Sequence, residues 1–193
     1  MPTQNTITTF ILEKYKMIFV AALVLLSVFC SCKESVSISR DVILTPPGAK
    51  FIIPVISSTN AGTLIGNFQD TISLDQEVRN ATGDFGIANL RDLKVTAMRL
   101  DLDTLKDHYS GNLENFTIEI TSGNLKDTLA ILENNSNSKN NTISIPVRSS
   151  TPRLREIMSS ASFTYKITGK LRTATTVPLS ATLTPTFTIK LSL

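Results

Sequence analysis

The most persistent pattern along the chain is alternation of apolar and polar residues. Phe116, Ile118 and Ile120 alternate with Thr117, Glu119 and Thr121, and the same rhythm returns at Ile143, Ile145 and Val147 and at Phe163, Tyr165 and Ile167. Successive side chains of an extended strand point to opposite faces, so a period of two predicts strands with one face on a core. The pattern is longest at the carboxyl end, where Leu179, Ala181, Leu183, Pro185, Phe187, Ile189, Leu191 and Leu193 share one parity. Strands usually run about five or six residues and proline has no amide donor, so a bend, an edge position or a split is expected near Pro185. Leu93, Val95 and Ala97 keep one parity while Met98, Leu100 and Leu102 keep the other, which predicts a β-bulge near Ala97-Met98.

Helical signals are short: residues 74–79, and residues 152–160 with Thr151 as cap and Pro152 in the first turn. The stretch 133–141 holds no apolar residue to offset ordering entropy and reads as an exposed, mobile hairpin loop. About eight short strands with no helix long enough for a βαβ crossover predict an all-β fold. The expected architecture is an antiparallel β-sandwich of Ig-like proportions with one or two short connecting helices. The Cys and Trp markers of true immunoglobulin domains are absent.

The amino-terminal pattern is different. Residues 17–29 carry no charge and follow Lys14 and Lys16, a basic segment and then an apolar one. A permanent helical span needs roughly 20 apolar residues, so this run suits export better than anchorage. It ends in Ser27-Val28-Phe29-Cys30-Ser31-Cys32. This run resembles the lipobox of bacterial lipoprotein precursors, with Ser31 as the small residue before the cysteine and Phe29 and Cys30 where the family more often has leucine and a small residue. The resemblance implies cleavage between Ser31 and Cys32, a diacylglycerol thioether on Cys32, and acyl chains such as palmitate holding the protein to a membrane. Lys33, in place of the aspartate that retains enterobacterial lipoproteins at the inner membrane, favours the outer membrane by the same resemblance. Cleavage after Cys30 by an ordinary signal peptidase would instead leave a soluble secreted protein.

The expected organisation is a signal peptide at 1–31, a lipidated tether at 32–50 and a sandwich at 51–193. Pro46-Pro47-Gly48 interrupts the tether, and Val36, Ile38 and Val42-Ile43-Leu44 around it could form a first strand. The mature 162 residues hold 17 Lys and Arg against 15 Asp and Glu, a net +2 too small to argue for nucleic acid. With Cys30 removed and Cys32 acylated, the exported domain has no disulfide and no thiolate ligand.

His108 is the only histidine, and Asp101, Asp103 and Asp107 precede it. Asp101 and Asp103 are the weak candidates for an oxygen-ligated cation, but the spacing lacks the glycine and closing glutamate of an EF-hand loop, so neither metal nor cofactor is expected. No Gly-x-Ser-x-Gly elbow accompanies His108, and no catalytic residue is assigned. Asp84-Phe85-Gly86 lacks every other kinase motif, and residues 62–66 lack the ending of a phosphate loop. Three triplets place Thr71, Thr104 and Thr128 between aspartate and an apolar residue, which resembles the O-glycosylation acceptor of some bacteria. Asn-x-Ser/Thr triplets stand at Asn80, Asn115, Asn134 and Asn140.

The function expected from these features is a non-catalytic binding or assembly module at the cell envelope, joined to the membrane through Cys32 and facing an envelope protein or glycan. Glycan stacking favours Trp and Tyr, and the mature chain has no Trp and only Tyr109 and Tyr165. The alternative is binding or transfer of an apolar ligand such as lipid between the two sheets, against Phe116, Phe163 and Phe187. A hydrolase would require acid and base groups converging in a cleft.

Overall fold

The alternating segments are strands. The computed structural model describes residues 38–103, 110–136, 139–148 and 151–193. Its strands are β1 (Ser39–Leu44), β2 (Ala49–Ile53), β3 (Thr63–Asp70), β4 (Leu90–Leu102), β5 (Leu113–Ser122), β6 (Leu125–Leu132), β7 (Thr142–Ile145), β8 (Phe163–Leu171) and β9 (Leu179–Ser192). Helix α1 (Leu74–Thr82) joins β3 to β4, and α2 (Leu154–Met158) joins β7 to β8. One sheet has the order β1-β9-β4-β7 with β2 also on β9, the other the order β3-β8-β5-β6, and every pairing is antiparallel.

From β2 to β9 the chain changes sheet at each connection except the β5–β6 hairpin, whose turn places Gly123 at φ 55°. That order is a jelly roll. The sandwich and its two short helices are as the patterning predicts, while the strand order differs from the immunoglobulin arrangement. Between the sheets lies one apolar core, with Tyr165, Phe116, Phe163 and Phe187 its largest fully buried side chains.

β9 runs unbroken for 14 residues with every second side chain buried, Pro185 included, so the expected split or edge position does not occur. The reason lies in its neighbour. β1 ends with Leu44 opposite Phe187 and β2 begins with Ala49 opposite Leu183, so residues 184–186 have no ladder partner on that side. A proline there interrupts no bond to β1 or β2.

Residues 45–48 form the matching interruption, and Pro46 and Pro47 bend one edge strand rather than separate a tether from a domain. The compact unit runs from Ile38 to Leu193. The boundary drawn at residue 51 therefore moves to residue 38, and the first strand left open within 32–50 is β1.

Of the two register shifts in β4, the one beside the expected position lies one residue earlier: Val95 faces Phe187 and Ala97 faces Thr186, leaving Thr96 extra. The stretch 133–141 is exposed at most of its described positions, yet it links β6 to β7 in the opposite sheet and is not a hairpin. Asn135 ties it down, donating from Nδ2 to the carbonyls of Ser110 (2.8 Å) and Leu113 (2.9 Å). After β7 the chain reaches the other sheet's edge, where Val147 bridges Ala130.

Ser73 caps α1, accepting the Gln76 amide at 3.3 Å, and Leu74 and Val78 turn into the core. The second helix starts later than predicted, and its capping acceptor is not Thr151. Asp127 Oδ2 takes the Arg153 amide at 3.0 Å, which bonds the helix start to β6.

Candidate functional site

Parity places Phe68 and Asp70 of β3 on the same inward face, and the fold encloses them with residues from two other strands. Phe68 stacks on Phe51 of β2 with centroids 4.3 Å apart, and lies 5.4 Å from Tyr165 of β8. Tyr165 in turn meets Phe163 edge-on at 5.4 Å. This aromatic cluster holds the Tyr165 hydroxyl wholly out of solvent with no hydrogen-bond partner, and Asp70 Oδ2 is likewise buried and unpaired. The other carboxylate oxygen accepts the Thr71 amide at 2.8 Å.

Burial pushes the Asp70 carboxyl above its ordinary value, against the hydrogen bonds from the Thr71 and Ile72 amides. Burial, and secondarily the Asp70 charge, pushes the Tyr165 phenol up. A raised folded-state carboxyl favours the protonated fold. Its contribution is complete below the unfolded carboxylate pKa and is lost as pH rises through the folded value. Removing an unpaired buried hydroxyl without changing shape should help the fold. Tyr165→Phe is expected to stabilise by about 1 kcal/mol, read as a shift in urea midpoint at pH 7. A loss of that size would mean that the hydroxyl has a partner in solution.

Asp70 also lines a surface groove of about 490 Å³ between the β1–β2 bend and the β3–α1 connection, with Lys50, Gln69, Thr71, Gln76 and Glu77. A second groove, of about 350 Å³, lies where residues 133 and 134 meet β5, β6 and β8 and is walled by Asn115, Thr117, Thr168, Glu133 and Asn134. Beyond it the outward side chains of β5 and β8 are polar. Thr117 faces Thr168, and Glu119 faces Lys166 and pairs with Lys126 at 2.6 Å. Glu114 pairs with Lys170 at 2.8 Å, which holds its carboxyl below the ordinary value.

Asp101 is part of a strap between strands: Oδ2 accepts from Arg99 Nε at 2.8 Å and Oδ1 from Thr142 Oγ1 of β7 at 2.7 Å. Asp103 is exposed beyond the end of β4, its amide bonded to the Ser180 carbonyl at 2.9 Å. Among the described residues no three His, Cys, Asp or Glu side chains group as metal ligands. Thr71 is exposed at the rim of the larger groove, and Thr128 is half-buried in β6. Ser31, Cys32, Thr104, Asp107 and His108 lie outside the described residues.

No protein-family model matches the chain, and no characterised protein matches its sequence. Among solved structures it is similar to the 60-mer BFDV capsid protein, at 9% identity and a TM-score of 0.31, over 80% of this chain and 95% of that one. It is also similar to the decameric BFDV capsid protein, at 11% identity and a TM-score of 0.27 over 79% and 99% of the two chains. A third is Desmodium yellow mottle tymovirus, at 10% identity and a TM-score of 0.24 over 81% and 82%. The jelly-roll assignment rests on the strand order.

Phe116, Phe163 and Phe187 are ordinary core, each at most 2% exposed. The space lined by Ile53, Leu102, Leu113, Leu171 and Leu179 measures about 10 Å³, close to one water-sized sphere. Tyr165, one of two tyrosines left after the expected cleavage, is sealed in the core and offers no stacking platform.

Proposed function

We propose that the chain is an exported lipoprotein whose jelly roll serves as a non-catalytic binding or assembly module, held at the cell envelope by lipid on Cys32. One observation carries this reading: the compact unit begins at Ile38 and its first strand at Ser39. The lipobox-like run ends six positions earlier, so acylation and cleavage there would leave every described strand intact. The filled interior around Phe116, Phe163 and Phe187 supports recognition on the surface over an apolar ligand between the sheets. The 350 Å³ groove on the sandwich exterior is its binding surface, and its amide, hydroxyl and carboxylate lining suits a polar partner such as an envelope protein or glycan.

Affinity isolation from detergent-solubilised envelopes tests the module. The expected result is one reproducible partner whose recovery drops at least about tenfold when Asn115 and Thr168 are both replaced by lysine, a loss of about 1.4 kcal/mol in binding. Turnover of a substrate that Asp103→Ala or His108→Ala abolishes would instead make the protein an enzyme.

A further inference from the structure

Large apolar side chains stand exposed at six described positions, and five of them belong to one side of the molecule: Ile38, Ile43, Ile52, Val55 and Leu193. Ile43 and Ile52 point outward from β1 and β2, where their neighbours Val42, Leu44, Phe51 and Ile53 turn inward. Val55 follows β2, and the Leu193 amide bonds to the Ile38 carbonyl at 3.1 Å. The row therefore follows the free edge of the first sheet. Exposed edge strands ordinarily carry charge or are covered, because unpaired backbone and apolar side chains together invite association.

What covers the edge follows from the chain that leads to it. From Cys32 to Ile38 there are six residue steps, which reach about 20 Å at full extension. A lipid on Cys32 thus confines the start of this edge to the neighbourhood of the bilayer surface, whatever the rest of the domain does.

We infer that the β1–β2 edge is a membrane-docking surface, resting Ile38, Ile43, Ile52 and Val55 in the headgroup–acyl boundary of the bilayer that holds the Cys32 lipid. This rests on the lipoprotein reading above. Docking in this way presents the second sheet and its 350 Å³ groove away from the bilayer.

The test uses the lipidated mature protein. Its only cysteine is acylated, so Ile43→Cys, Ile52→Cys or Lys166→Cys each introduces a single reactive thiol for an environment-sensitive fluorophore. The labelled proteins are reconstituted into phosphatidylethanolamine–phosphatidylglycerol vesicles containing lipids spin-labelled at a shallow acyl position. Side chains seated about 5–10 Å deep should lose roughly half their fluorescence at positions 43 and 52, and under about a tenth at position 166. Protein that floats with the vesicles while positions 43 and 52 stay unquenched, or quench no more than 166, overturns the docking edge and leaves the lipid anchor standing. Copy-to-copy cross-linking at position 43 without quenching overturns it in favour of a second copy. Protein that does not float overturns the anchor, and the docking inference with it.

Discussion

Gly169→Ala is expected to destabilise the sandwich by about 3 kcal/mol, the upper part of the range for overpacking a filled core. Gly169 lies in β8, with Thr63 of β3 on one side and Phe116 of β5 on the other. A methyl there would stand 2.2 Å from the Asn115 carbonyl oxygen, 2.7 Å from Phe116 Cβ and 2.9 Å from Ile65 Cδ1. The nearest contact is backbone in a paired strand and cannot rotate away, so β5 and β8 must separate locally. Urea unfolding of the protein measures the loss. A change under about 0.5 kcal/mol, the ordinary surface range, would show that β8 and β5 do not approach as described.

Cys32→Ser is expected to move the protein from the detergent phase to the aqueous phase almost completely while leaving the domain's stability unchanged. Each buried methylene contributes about 0.8 kcal/mol, and two or three acyl chains hold what one chain holds only marginally. Serine supplies no thioether, so the whole of that contribution disappears. The fold should be indifferent, because the compact unit begins at Ile38. Retention of the variant in the detergent phase would mean that uncleaved residues 17–29, and not acyl chains, attach the protein.

Where the alternation is unbroken it is visible in sequence, as in β8 and β9, whose buried residues recur at every second position, and in β5 from Phe116 to Ile120. The same rule hides β3 and β6. The register slips between Leu64 and Gly66 leave Ile65 and Gly66 both buried, and in β6 Leu129 and Ala130 are both buried beside the slip at Ile118 and Glu119. Two adjacent inward residues erase a period of two. Prolines act in the opposite direction: Pro46, Pro47 and Pro185 each signal a break when taken singly, yet they fall in one shared interruption between β1, β2 and β9. Strand order was not legible: Ser39 pairs with Ser192 from the far ends of the domain, and hydrophobic parity carries no information about partners.

Local chemistry was readable and enclosed chemistry was not. Asp101 is legible as an acidic residue at a strand end, but its oxygens belong to Arg99 and Thr142, the latter 41 positions away. Asp70 and Tyr165 are not legible as a pair. Their only signal is that Asp70 shares parity with Phe68 in a strand whose period the bulge obscures. Asn135 sits in a run of polar residues that looks featureless, and only the fold shows its amide holding two carbonyls.

Mass spectrometry of the envelope-purified protein reads the modification of the Cys32 sulfur directly. The expected amino-terminal peptide starts at Cys32 and carries the mass of a diacylglycerol thioether. A peptide that starts at Ser31, or a free Cys32 thiol in the membrane fraction, would contradict it.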